Sequence, residues 1–179
     1  MPKEDSAFNM FKLMFQAHPW HGITPGKRAP ETVSAFIEIV PTDAVKYELD
    51  KQSGDPMDIC VLTEKTFAQG NFFLQAEPIG GLRMIDGEQA DDKIIAVLEA
   101  DLAYGHIKDI DECPKALVDR LKHYFLSYKQ LPGDAPRRVE IVDVYDRTEA
   151  LDVITRSISD YQTQFSDHES RKKKLKRPI

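Results

Sequence analysis

Acidic side chains crowd one stretch of this 179-residue sequence in a way that points to chemistry. Asp55 sits in the run Gly54-Asp55-Pro56-Met57-Asp58, where glycine and proline impose a tight turn. Asp58 follows three residues later, at the head of an apolar run, so both carboxylates could converge at one end of a sheet. Asp86, Asp91 and Asp92 bracket a second short loop that opens directly into Lys93 and another apolar run. These acids fall on turns, not along a helix where a lysine four residues away would neutralise them. Carboxylates held within a few ångströms either take up protons or share hard cations, and oxygen-rich sites at neutral pH favour Mg²⁺ or Ca²⁺. Ordinary solvated turn acids are the alternative reading of the same residues.

Basic and phenolic groups lie close to these acids in the sequence. Lys46 and Glu48 are two apart and so face one side of a strand, Lys93 follows the acidic loop, and Tyr128-Lys129 follows a helical segment. Carboxylates with metal, ringed by Lys and Tyr donors, are what phosphoryl transfer requires. The metal neutralises phosphate oxygens and acidifies a water, a further carboxylate takes its proton, and Lys or Tyr stabilises charge on the leaving phosphate. A surface position on a strand is the alternative for each lysine.

The elements that must position these groups are strands first and helices later. Strands are predicted at 33–40, 44–50, 57–62, 71–76, 81–85, 93–98 and 139–145, with turns at Gly-Asp-Pro, Gly80-Gly81 and Asp86-Gly87. Helical spacing follows: Leu117, Leu121 and Phe125 within 114–126, then Leu151, Ile154 and Ile158 within 148–165. This order predicts a small closed β-structure with helices on its outside. Before it, Phe8, Phe11 and Phe15 mark a short amphipathic helix over 7–17, followed by an irregular connection in which His18 and His21 read as hydrogen-bonded loop histidines. Residues 1–32 are thus an arm, 33–165 one domain, and 166–179 a basic tail predicted to be disordered.

Charge narrows the partners. The chain carries 24 Lys and Arg against 30 Asp and Glu; six of the bases lie in 171–179, so residues 1–170 hold 18 against 30, a net −12. Such a body repels nucleic-acid phosphate and anionic lipid and suits cations. It also opposes an oligonucleotide-binding reading, for which no basic, aromatic-rich strand face is evident. Cys60 and Cys113 are too few for a disulfide framework, and neither a signal peptide nor a membrane-spanning run is evident, so a soluble, cytoplasmic location is expected.

Five segments, in order, resemble the soluble family I inorganic pyrophosphatases: Val45-Lys-Tyr-Glu-Leu-Asp-Lys; Gly54-Asp-Pro-Met-Asp-Ile; Met84-Ile-Asp with Asp91-Asp-Lys-Ile-Ile-Ala-Val; His106-Ile-Lys-Asp-Ile; and His123-Tyr-Phe-Leu-Ser-Tyr-Lys. The resemblance implies an OB-type five-stranded β-barrel with flanking helices, Mg²⁺ as cofactor, hydrolysis of pyrophosphate to two phosphates, and a homo-oligomer. It implies that Asp55 accepts the proton of the attacking water, that Asp58 bridges two metal ions, and that Asp86 and Asp91 are further metal ligands. Lys46, Lys93, Tyr128 and Lys129 correspond to groups that hold pyrophosphate oxygens, and Glu38 and Glu48 to acids lining the cavity. Asp92 has no counterpart role.

The chain departs from the family in one place. A few dozen residues, carrying an Arg and Tyr donors and barrel wall, separate the first two motifs in the family, whereas only Gln52-Ser53 intervene here. Ser53 also stands where the family's acidic motif begins with Asp. The barrel is therefore expected to be incomplete. The alternative to a working hydrolase is a weakly active or non-catalytic relative that binds divalent cations or phosphate, or pairs with full-length subunits.

Overall fold

The computed structural model describes residues 23–41, 57–128 and 138–164. Outside them lie the expected helix over 7–17, His18 and His21, the strand at 44–50, the Gly-Asp-Pro turn and the basic tail.

The centre of the fold is one long strand. Where two strands over 71–76 and 81–85 separated by a Gly80-Gly81 turn are expected, a single 15-residue strand runs through, β3 (Phe72–Asp86). Along one edge it pairs antiparallel with β1 (Val33–Ile37) and then with β6 (Val139–Tyr145); along the other it pairs with β5 (Lys93–Leu98) and, past the hairpin at Gly87, with the short β4 (Gln89–Ala90). β2 (Asp58–Leu62) adds to β5 in parallel. The sheet has six strands, running β1-β3-β5-β2 with β4 and β6 on β3, and among the described residues no pairing joins β1 to β2 to close a barrel.

Why the two glycines do not turn is visible in what crosses them. A Cβ on Gly81 would clash with the hydroxyl end of the Tyr145 ring, at Cε2 and Cζ, and one on Gly80 would meet the Tyr145 carbonyl and Ile110. Glycine here admits a close crossing of strand and ring; the ladder to β5 shifts register between Pro78 and Gly80 but continues.

Both sheet faces are covered. On one side Leu62, Ile79, Leu82, Met84, Ile95 and Val97 pack under α1 (Lys115–Ser127), which contributes Leu117, Leu121 and Phe125. On the other, Val33, Ala76, Ile94 and Ala96 meet Ala150 and Ile154 of α2 (Arg147–Gln164). β5, the strand entered through Lys93, is buried at all six positions, as expected of a strand covered on both faces. Asp101, just past β5, ties that end of the sheet to β2: its buried carboxylate accepts from Thr63 Oγ1 at 2.6 Å and from the backbone N–H groups of Glu64, Ala103 and Tyr104. Burial alone would raise the Asp101 carboxyl, but these donors hold it below its ordinary value.

Gly81→Ala is expected to cost about 1–3 kcal/mol, the usual range for forcing a methyl into filled space, read as a lower urea midpoint at unchanged slope. An unchanged midpoint would mean that the Tyr145 ring swings clear.

Candidate active site

β2 and β5 begin side by side. Their parallel register pairs Asp58 with Lys93, and the antiparallel register of β5 with β3 pairs Lys93 with Leu82. Side chains alternate between sheet faces, so Asp58, Cys60 and Leu62 line the face under α1 together with Lys93, Ile95 and Val97. Asp58 and Lys93 thus form the polar end of an otherwise apolar face. Asp91, two residues before Lys93, is held to β3 by its backbone N–H, which donates to the Met84 carbonyl at 2.9 Å.

Three charges meet here. The Lys93 ammonium donates to Asp58 Oδ2 through a short contact and to Asp91 Oδ1 at 2.6 Å. Two acids touching one nitrogen place their bound oxygens no more than two hydrogen-bond lengths, about 6 Å, from each other. The Lys93 side chain is wholly buried, whereas those of Asp58 and Asp91 are 45% and 27% exposed, so the cation lies beneath and the acids open outward. Burial alone would lower the Lys93 pKa, but the charge and hydrogen bond of Asp58, followed by those of Asp91, outweigh it and hold the ammonium above the ordinary lysine value.

The remaining expected residues divide. Asp86 ends β3 on the face of Leu82 and Met84, adjoining the segment that carries Asp91. Tyr128 caps the C-terminus of α1 above the same face, its ring stacked on Tyr124 at 5.1 Å and edge-on to Phe125 at 5.8 Å. Glu38 is exposed just past β1, whose last residue pairs with Phe72, at the opposite end of β3 from Asp86. No described contact joins it to Lys93. Lys46, Glu48, Asp55 and Lys129 lie outside the described residues.

Tyr124 is a neighbour the sequence reading missed. Its phenol is pushed up by burial and further by Cys60 and Asp58 nearby; its signal was the four-residue helical spacing to Tyr128. The Cys60 thiol, desolvated on β2, is pushed up to about 11 and is no nucleophile at neutral pH. Among the described residues no three His, Cys, Asp or Glu side chains gather as a metal cage.

Comparison with known proteins identifies the chemistry. A profile of the inorganic pyrophosphatase family matches residues 52–162. The inorganic pyrophosphatase of Chlamydia trachomatis serovar L2 is 41% identical over 200 residues, covering 83% of this chain and 96% of that one. The chain belongs to the inorganic pyrophosphatase family. A relative in Chlamydomonas reinhardtii, soluble inorganic pyrophosphatase 2, is 32% identical over 178 residues, with 83% and 91% covered. The crystal structure of inorganic pyrophosphatase from Thermus thermophilus superposes with a TM-score of 0.68 at 26% identity, over 78% of this chain and 97% of that one. The enzyme is an inorganic diphosphatase: it hydrolyses inorganic pyrophosphate, and its α+β fold is that of the family's solved structures.

The three-charge cluster sets a sign for titration. With a native pKa above the unfolded one, Lys93 contributes stability that is complete below about 10.4 and is lost as pH rises through the native value. In an Asp58→Asn, Asp91→Asn double variant burial acts unopposed, and the Lys93 pKa is expected to fall below the ordinary lysine value. NMR titration of the lysine Nζ resonance reads this; a native-like pKa in the double variant would mean that the acids do not hold the charge.

Proposed function

We propose that pyrophosphate is hydrolysed at the rim formed by Asp58, Asp86, Asp91 and Lys93, with Asp55 accepting the proton of the attacking water. The observation that carries this reading is the convergence of Asp58 and Asp91 on one buried ammonium, with both acids open to solvent. Hard carboxylate oxygens suit Mg²⁺, which is commonly held by one or two carboxylates with water and substrate phosphates completing its shell. Two converging acids therefore fit this ion without a three-carboxylate cage, with Asp86 on the adjoining strand end as a further ligand. When bound, Mg²⁺ neutralises phosphate oxygens and acidifies the attacking water.

The chain's own residues do the rest. Asp55, three positions before Asp58, takes the water's proton. Lys46, Tyr128 and Lys129 donate to phosphate oxygens, and Glu48 lines the cavity, whereas Glu38 lies at the end of β3 away from this rim. Lys93 commits two of its three protons to Asp58 and Asp91, so at most one is left for phosphate. Its first task is to hold the two acids together.

We further infer that the connection around Gln52-Ser53 is shortened relative to the family. In support, the alignment with the Chlamydia trachomatis enzyme runs over 200 residues, more than this whole 179-residue chain, of which only 83% is covered. A lost charge-stabilising donor costs on the order of 10²–10³ in rate, so turnover is expected to fall below that of relatives with the full segment. The closed OB-type barrel belongs to the complete fold, and the outer edges of β1 and β2 are where a homo-oligomeric or full-length partner would pair. Among the described residues no helix is long and apolar enough to cross a membrane, and a relative carries "soluble" in its name; we place this enzyme in the cytoplasm.

Phosphate release from pyrophosphate with Mg²⁺ present tests the assignment of Asp55. Asp55→Asn is expected to slow release by roughly 10²–10⁴, the usual contribution of a general base. Equal rates in the two proteins would remove Asp55 from the reaction.

A further inference from the structure

Asp92, beside Asp91, has no part in the reaction described above. It lies between β4 and β5, where strand pairing does not by itself dictate which way a side chain points. Its neighbour Asp91 is turned toward Lys93. Asp92 is turned to the other face, where its Oδ2 accepts a hydrogen bond from the Tyr145 hydroxyl at 3.3 Å.

That contact reaches across a whole strand. Tyr145, the last residue of β6, pairs with Gly81 of β3, and Gly81 pairs with Ile94 of β5. To meet Asp92 the phenol must pass over β3, two strand spacings or about 10 Å from its own strand to β5. The missing Cβ at Gly81 opens that path. Tyr145 is 3% exposed, the Arg83 guanidinium lies over its ring at 5.5 Å from the centroid, and Arg83 is ion-paired to Glu149 of α2. The donor is thus fixed from three elements, while the acceptor is on a short connection.

We propose that the Tyr145–Asp92 hydrogen bond over Gly81 is a positioning contact that holds Asp92 to one face and so turns the adjacent Asp91 to the other, setting the enzyme's affinity for Mg²⁺. This rests on the reading of Asp91 as a metal ligand. Groups that orient a metal ligand commonly change affinity by 10–100-fold when removed, without touching the ion. Neither Tyr145 nor Asp92 reaches the rim itself, because both lie on the reverse face.

Calorimetric titration of the whole 179-residue chain with Mg²⁺ alone, without substrate, tests it. Tyr145→Phe leaves the ring over Gly81 and removes only the hydroxyl; Asp92→Ala removes the acceptor; Asp92→Asn keeps a carbonyl that can accept. Tyr145→Phe and Asp92→Ala are each expected to weaken Mg²⁺ roughly tenfold, with no further loss in the double variant, and Asp92→Asn to stay within about threefold of the parent. Asp91→Asn is titrated beside them. If it weakens Mg²⁺ while Tyr145→Phe and Asp92→Ala bind like the parent, or lower only the thermal midpoint, the positioning role is overturned and the ligand assignment stands. If Asp91→Asn itself binds like the parent, the ligand assignment fails, and the positioning role with it.

Discussion

A buried ammonium between two half-open carboxylates is the constraint on which the rest of this structure depends. Lys93 has no exposed side-chain surface, and an uncompensated charge at such depth would be strongly unfavourable. Asp58 and Asp91 supply the compensation from separate segments: the first residue of β2 and the link before β5. The parallel register of β2 and β5 brings Asp58 level with Lys93, and the backbone bond of Asp91 to Met84 does the same for the loop. Strand pairing and charge pairing therefore specify each other, since a one-residue slip of β2 would carry Asp58 to the opposite face.

The two faces of the sheet divide the work. Under α1, the apolar face ends in the acid rim, with Tyr128 and Tyr124 stacked above it. Under α2, Tyr145 spans β3 at its glycines and joins Arg83, Glu149 and Asp92 in one contiguous set of contacts. Residues 91 and 92 face opposite ways, so the acidic loop is gripped from both sides. That arrangement keeps neighbouring carboxylates in place despite their charge.

Much of the fold was legible because its signals are local. Strand 93–98 and strand 139–145 were read at their observed bounds, and both helices to within one residue, since continuous apolar runs and helical spacing need no distant partner. Gly80-Gly81 was misread as a turn for the converse reason. Paired glycines usually mark reversals, but here they accommodate Tyr145, more than sixty residues away, and only the packed structure shows the crossing.

For the site, residue types and order along the chain pick out the carboxylates and lysines as candidates, and five motifs in order point to the family to which the chain belongs. Direction and depth came only with the tertiary structure. It buries Lys93 completely, turns Asp58 and Asp91 onto it, sends Asp92 to the reverse face, and leaves Glu38 at the far end of β3. The physical reason is that local sequence encodes period and chemistry, whereas which charges share one low-dielectric pocket depends on strand register and on which helix covers each face.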